Sequence, residues 1–173
     1  QILDESETAD PIQTYAEENN EETYSDFLYT VLDDGTAEIA GCKDTYQSEN
    51  LEIPDYIAGY CVTQIGIGAF EGKKFMGNLI IPDSVRKIGD LAFNECGFSG
   101  TLQLPSNLKT IGVCAFWKCG FNGDLIIPDS VTEIGQQAFD CCKFTGELRL
   151  SSNLKTIGKL AFGTNAFVGD LNI

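Results

Sequence analysis

Apolar and polar positions along this chain follow a long cycle and not the short period of a single helix or strand. The tetrad Ile-Gly-x-x-Ala-Phe begins at Ile65 and returns at Ile88, Ile111, Ile134 and Ile157, each time after 23 residues. A fixed period of this length marks a solenoid, in which one repeat cannot bury its apolar face without neighbours. Within residues 100–119, Leu102 and Leu104 alternate with Thr101 and Gln103, which predicts a short strand with one inward face. Pro105 ends that strand and sets a turn. Leu108 and Ile111 turn back inward, and Gly112 permits a tight backbone. Ala115 and Phe116 fill a broad outer arc before Cys119 closes the coil. Phe75, Phe98, Phe121, Phe144 and Phe167 each open the next coil with a large core side chain. The expectation is an α/β repeat solenoid. Its Leu-x-Leu strands stack as a parallel sheet on one side, turns or short helical segments form the other, and the narrower strand side curves the stack.

A second period lies over the first. Residues 77–99 match 123–145 through Leu-Ile-Ile-Pro-Asp-Ser-Val, and residues 100–122 match 146–168 through Ser-Asn-Leu-Lys-Thr-Ile-Gly. The growing unit is a pair of coils, so alternate coils present alternate surfaces. Before the repeats, Asp26–Leu32 and Thr36–Gly41 are two β-prone runs around an Asp-Gly turn, which predicts a hairpin. Its alternation puts Phe27, Tyr29 and Val31 on one face with Ile39 opposite. Residues 24–50 read as an N-terminal β-hairpin cap, and residues 51–173 as the solenoid with its last repeat incomplete. The first repeat is five residues longer between Ile53-Pro54 and Ile65-Gly66 and holds Tyr56, Tyr60 and Cys61. Such an insertion lies on the outside of the coil, either as a functional loop or as a lid packed on the first coil.

Charge changes the picture at one end. Net charge is -15, and residues 1–42 contain no Lys or Arg. Asp4, Glu5, Glu7, Asp10, Glu17, Glu18, Glu21 and Glu22 all precede the first apolar run. Residues 1–23 are therefore expected to be an acidic disordered leader. The charge disfavours nucleic acid and anionic membrane surfaces, and no stretch reaches the roughly 18 apolar residues of a membrane helix. The missing initial Met and the lack of a signal peptide suggest a processed piece of a longer chain. The chain stops half a coil past its last Ala-Phe, which leaves an uncapped end open to continuation or to self-association.

Seven cysteines cannot all pair within the chain. Cys96, Cys119 and Cys142 share one coil position, with Asn165 following and Lys73 preceding. An inward ladder of free thiols fits this arrangement, because parallel stacked side chains rarely reach disulfide torsions. A zinc site would need closed tetrahedral Cys or His ligands, whereas the chain has no histidine and its cysteines form a linear ladder instead of paired knuckles. The same lack disfavours Ser-His and Cys-His nucleophilic catalysis. Asp83 and Asp129 follow Pro two coils apart, roughly 10 Å along the surface, and suit turns better than a glycosidase pair. No cofactor motif is present.

The unit carried by Leu79, Ile81, Pro82, Val85, Ile88, Gly89, Ala92, Phe93 and Cys96, and by their successors, resembles the BspA-like leucine-rich repeats of bacterial surface proteins. The likeness covers roughly residues 51–173, with Ser151 departing from the expected Pro. It implies a curved, right-handed leucine-rich-repeat coil. It also implies a secreted or cell-surface protein that binds host matrix or other surface proteins; the lack of catalytic groups adds the expectation that it is not an enzyme. A structural spacer within a larger surface protein is the alternative.

If a partner binds the strand face, the outward positions Asn78, Ile80, Thr101, Gln103, Asp124, Ile126, Glu147, Arg149, Asp170 and Asn172 make the contact. Ile80 and Ile126 are apolar where solvent is predicted, which fits either recognition or plain β preference. Trp117 occupies a position filled elsewhere by Glu71, Asn94, Asp140 and Gly163, so it should lie on the outer arc. There it is either a contact residue or packed over a neighbouring coil. Tyr60 completes the set of candidates.

Overall fold

The computed structural model describes residues 26–46 and 48–169. The acidic leader, Asp170, Asn172 and the uncapped end lie outside the described residues. The first strands are β1 (Phe27–Val31), β2 (Ala37–Cys42), β3 (Leu51–Glu52), β4 (Tyr56–Ile57) and β5 (Tyr60–Ile65). Next come β6 (Leu79–Ile80), β7 (Lys87–Ile88), β8 (Ser99–Gly100), β9 (Thr110–Ile111) and β10 (Gly120–Phe121). The last are β11 (Leu125–Ile126), β12 (Glu133–Ile134), β13 (Leu148–Arg149) and β14 (Thr156–Ile157). The chain is a β-solenoid of about five turns with parallel strand stacking.

The sheet is not where the alternation of Leu102 and Leu104 placed it. The long sheet runs β1-β2-β5-β7-β9-β12-β14, and from β5 onward each strand ends on the Ile of an Ile-Gly pair. Ile65, Ile88, Ile111, Ile134 and Ile157 stand in register along it. The Leu-x-Leu limb forms only two separate two-stranded ladders, β3 with β6 and β11 with β13, and residues 101–104 join neither. Side chains decide where these ladders form. Asn50 Oδ1 accepts the Asn78 amide at 2.7 Å and Asp124 Oδ1 accepts the Glu147 amide at 2.8 Å. The same two pairs of coils zip, and the coil between them does not.

No helix occurs among the described residues, so the α/β expectation is corrected to an all-β coil with a turn-built arc. Backbone conformation gives the reason. Leu91, Cys114, Gln137 and Leu160 occupy one coil position with φ between 52° and 58°. Four residues on, Glu95, Lys118, Cys141 and Thr164 do the same with φ between 51° and 56°. Two left-handed residues spaced one helical turn apart exclude a continuous right-handed helix. The arc is held instead by bonds between coils, such as Leu91 N–H to Val113 O and Phe93 N–H to Ala115 O, both 2.8 Å.

The core is two columns of phenylalanine. Phe70, Phe93, Phe116, Phe139 and Phe162 stack with centroids 5.2–5.7 Å apart. Phe75, Phe98, Phe121, Phe144 and Phe167 stack beside them at 5.5–6.3 Å. Rings of one coil meet edge to face, as Phe116 and Phe121 do at 6.1 Å. Offset stacks and edge contacts are the favoured aromatic geometries, so the columns add to plain burial. Strand β1 and the segment after β2 extend both columns. Phe27 meets Phe70 edge-on at 6.4 Å, and Tyr46 meets Phe75 at 5.9 Å. Tyr29 faces Ile39 in register, whereas Val31, at the strand end, is exposed.

All seven cysteines are free thiols in this structure. The ladder thiols are more than apolar filler. Cys96, Cys119 and Cys142 donate to the carbonyls of Phe70, Phe93 and Phe116 at 3.0–3.1 Å. Asn165 Nδ2 donates to Phe139 O at 2.8 Å. Cys and Asn share a column because each gives one donor to the same carbonyl. Ser151, in the place of a proline, is likewise buried and donates to Val131 O at 2.8 Å.

Candidate functional site

Two limbs of the coil present outward side chains. On the Leu-x-Leu limb, Asn78, Ile80, Thr101, Gln103, Asp124, Ile126, Glu147 and Arg149 are all exposed. Ile80 and Ile126 are about half exposed, but Gln103 occupies the coil between them. They therefore make two separate apolar spots and no continuous patch. Asp124 is already engaged in joining its coil to the next.

The other limb was missed by reading the residues around Ile-Gly as turn. Lys87, Thr110, Glu133 and Thr156 project outward from β7, β9, β12 and β14, with Gln64 on β5. Beyond each glycine stand Ile67, Asp90, Val113, Gln136 and Lys159, all exposed. Between these two columns runs a groove of about 460 Å³ floored by Gly89, Gly112 and Gly135. The glycines are there for close approach between coils and not for tight turns. None has positive φ, yet a Cβ on Gly112 would sit 2.5 Å from the Asp90 amide nitrogen. Bare backbone therefore floors the groove, while Ile67 (74% exposed) and Val113 (41%) give it an apolar margin. A signal for this site existed in the sequence. The residues flanking the most constant pair of the repeat are among its most varied, running Gln, Lys, Thr, Glu, Thr before it.

Trp117 is only half-buried, and its neighbours differ from expectation. Asn94 and Asp140, the same position in adjacent coils, are buried and not water-facing. Asn94 donates to Glu71 Oε1 at 2.8 Å, and Asp140 accepts from Gln137 Nε2 at 3.0 Å. The Lys118 ammonium stands 3.9 Å over the indole and 2.9 Å from Glu95 Oε1. The indole face is thus already occupied by a cation. Tyr60 and Tyr56 are exposed on the antiparallel β4-β5 turn formed by the five-residue insertion.

The two acidic turns serve structure. Asp83 Oδ1 accepts the Ser106 amide at 2.8 Å, and its carbonyl accepts Asn107 Nδ2 at 3.0 Å. Asp129 repeats this with Ser152 and Asn153. The Ser106 and Ser152 amides hold both carboxyls below the usual carboxylate range. This contact explains the paired period, since an Asp coil caps the Ser-Asn coil after it. Among the described residues, no group of three or more potential ligands is placed to hold a metal, and no helix is long and apolar enough to cross a membrane.

Five stacked coils with one donor ladder and one Ile-Gly wall define a leucine-rich repeat protein. The BspA type leucine-rich repeat region matches residues 62–173 in six copies, and the chain belongs to that family. A leucine-rich repeat protein from Bacteroides capillosus ATCC 29799 is 28% identical, with TM-score 0.55 over 83% of this chain and 94% of that one. A leucine-rich repeat protein from T. pallidum is 22% identical, with TM-score 0.58 over 84% of this chain and 77% of that one. A leucine-rich cell surface protein from Faecalibacterium prausnitzii A2-165 is 20% identical, with TM-score 0.57 over 90% of this chain and 48% of that one. No curated protein sequence gives a match. Membership of this repeat family is consistent with a protein-interaction module.

Proposed function

We propose that this chain is a non-enzymatic protein-binding module, secreted or displayed at the cell surface, whose partner is another surface or matrix protein. The observation that carries the reading is the glycine-floored wall of β5, β7, β9, β12 and β14. There Ile67 and Val113 stand in water, and Lys87, Thr110 and Thr156 make no side-chain hydrogen bond or ion pair among the described residues. Exposed apolar groups among uncommitted polar ones are the usual makeup of a recognition surface. Display outside the cell is supported by the family and by the cell-surface description of the Faecalibacterium protein of the same fold.

The test is binding of the chain to a panel of immobilised matrix proteins and glycans, repeated with two variants. Ile67→Ser with Val113→Ser, on the wall, should weaken a binding hit at least about tenfold, as hot-spot truncations do. Ile80→Ser with Ile126→Ser, on the other limb, should leave it unchanged. The reverse outcome would move the contact to the Leu-x-Leu limb. A flat response from folded protein across the whole panel would favour the spacer reading.

A further inference from the structure

The residues that follow the wall glycines differ in what their backbone amides meet. Val113 N–H donates to Asp90 Oδ1 of the preceding coil at 2.7 Å. The amides of Asp90 and Gln136 make no hydrogen bond among the described residues. The same place in their preceding coils holds Ile67 and Val113, whose side chains carry no acceptor. The amides of Ile67 and Lys159, at the two ends of the column, are also unbonded among the described residues. A backbone donor without a protein partner must take one from water or from a ligand. The carbonyls of the same column are already occupied. Asp90 O, Val113 O and Gln136 O accept the Gly68, Leu91 and Cys114 amides at 2.8–2.9 Å. The backbone along this margin of the groove therefore offers donors and no spare acceptor.

Spacing and charge narrow the occupant. Asp90 and Gln136 stand two coils apart, about 9.6 Å at about 4.8 Å per coil. In an extended strand, carbonyls on one side recur every second residue, about 6.6–6.8 Å, and miss that interval. In polyproline II three residues of about 3.1 Å make a turn, so carbonyls on one side recur about every 9.3 Å. Proline also brings no backbone donor, which suits a margin without acceptors. In a chain of net charge -15, the charged side chains of the two wall columns are Lys87 and Lys159 against Asp90 and Glu133. The wall is thus locally neutral, and an uncharged segment meets no repulsion there. Ile67 and Val113, both exposed, give proline rings an apolar surface.

We propose that the wall groove takes a proline-rich segment of the protein partner, in the polyproline II conformation and running along the stack. Its carbonyls accept from the Asp90 and Gln136 amides, and its rings lie on Ile67 and Val113. This rests on the wall being the protein-binding face, and it names the kind of segment that face holds. The chain contains its own precedent, since the Asp90 carboxylate already fills for Val113 the place that partner carbonyls fill for the other two amides.

The probe is nonaproline, titrated into ¹⁵N-labelled full chain, with a Gly-Ser peptide of equal length as control. Nonaproline alone should shift the Asp90 and Gln136 amide resonances, with the bonded Val113 amide moving less. At saturation, hydrogen exchange of those two amides should slow about threefold or more. Ile67→Asp with Val113→Asp sets a carboxylate before each free amide, as Asp90 does for Val113. In that variant the two amides should exchange about threefold more slowly without any peptide, which shows the carboxylates seated. Nonaproline should then bind at least about tenfold more weakly. Ile67→Val with Val113→Ile should bind as the unmutated chain does. Equal shifts with the Gly-Ser peptide, shifts confined to the Leu-x-Leu limb, or no shift at all would overturn the proposal. A matrix protein held by the wall while nonaproline leaves both amides unmoved would also overturn it, and would leave the protein-binding reading of the wall standing.

Discussion

Gly112→Ala separates two reasons for a glycine, and its cost can be worked from the geometry. The added Cβ would lie 2.5 Å from the Asp90 nitrogen, from Asp90 Oδ1 and from the Gly89 carbonyl carbon. Ordinary contact begins near 3.4 Å, so the two coils must part by about 1 Å on the wall limb. Two bonds span that gap, Gly112 N–H to Ile88 O at 2.9 Å and Val113 N–H to Asp90 Oδ1 at 2.7 Å. Stretched by about 1 Å they no longer count as hydrogen bonds, at a net cost of about 0.5–1.5 kcal/mol each. Overpacking adds about 1–3 kcal/mol, for a total of about 2–6 kcal/mol. Gly72→Ala is the control, because nothing lies within 4 Å of its Cβ but φ is +68°. It should cost only the left-handed penalty of about 1–2 kcal/mol. Urea unfolding followed by circular dichroism gives both values. If Gly112→Ala costs no more than Gly72→Ala, close approach is not what the Ile-Gly glycine provides.

Other consequences follow from the same geometry. Leu160 is exposed with φ of 57°, and its one turn bond, from Gly163 N–H to its carbonyl at 3.0 Å, uses backbone that a glycine keeps. Leu160→Gly should therefore stabilise by about 0.5 kcal/mol, as relief of left-handed strain exceeds the added freedom of the unfolded chain; a loss in thermal midpoint would refute this. Phe116→Ala, which empties a site stacked on both sides, should cost about 4–5 kcal/mol. Phe162→Ala, half-buried with one stacked neighbour, should cost less than half as much. Equal losses in urea titrations would argue against additive columns. Burial pushes the Cys96 and Cys142 thiols up to about 12 and raises Cys119 as well. The unfolded thiols ionise first as pH rises, so the folded state retains more protons between about pH 9 and 12. Their stabilising effect is complete below pH 8 and should drain away above pH 9 by about 1.4 kcal/mol per thiol per pH unit. A flat stability profile from pH 8 to 10.5, or maleimide labelling of all three thiols in folded protein at pH 7.5, would contradict this.

Much of the interior could be read from the period. Phe75 and its successors, the inward isoleucines and the thiol ladder ending at Asn165 follow from spacing and residue type, whereas Phe116, expected on the outer arc, proves to belong to a second buried column with Phe70. The wall was not, because Lys87 and Thr110 look like turn residues until Ile88 and Ile111 are seen paired across coils. Trp117 is half-buried, within the range its equivalents allow, but Asn94 and Asp140 at the same position prove buried and bonded. Hydrogen bonds between residues 23 apart carry no trace in local composition.

The sequence by itself determined that this chain is a stack of like coils, which positions face inward, and that the coils come in pairs. Identical residues at a constant interval adopt identical backbone states, so equivalent positions must align. Only the tertiary structure decided which limb closes into the long sheet and why Cys and Asn exchange. Those outcomes depend on the distance between adjacent coils and on which carbonyl each donor meets. Both are properties of the stack and not of any one repeat.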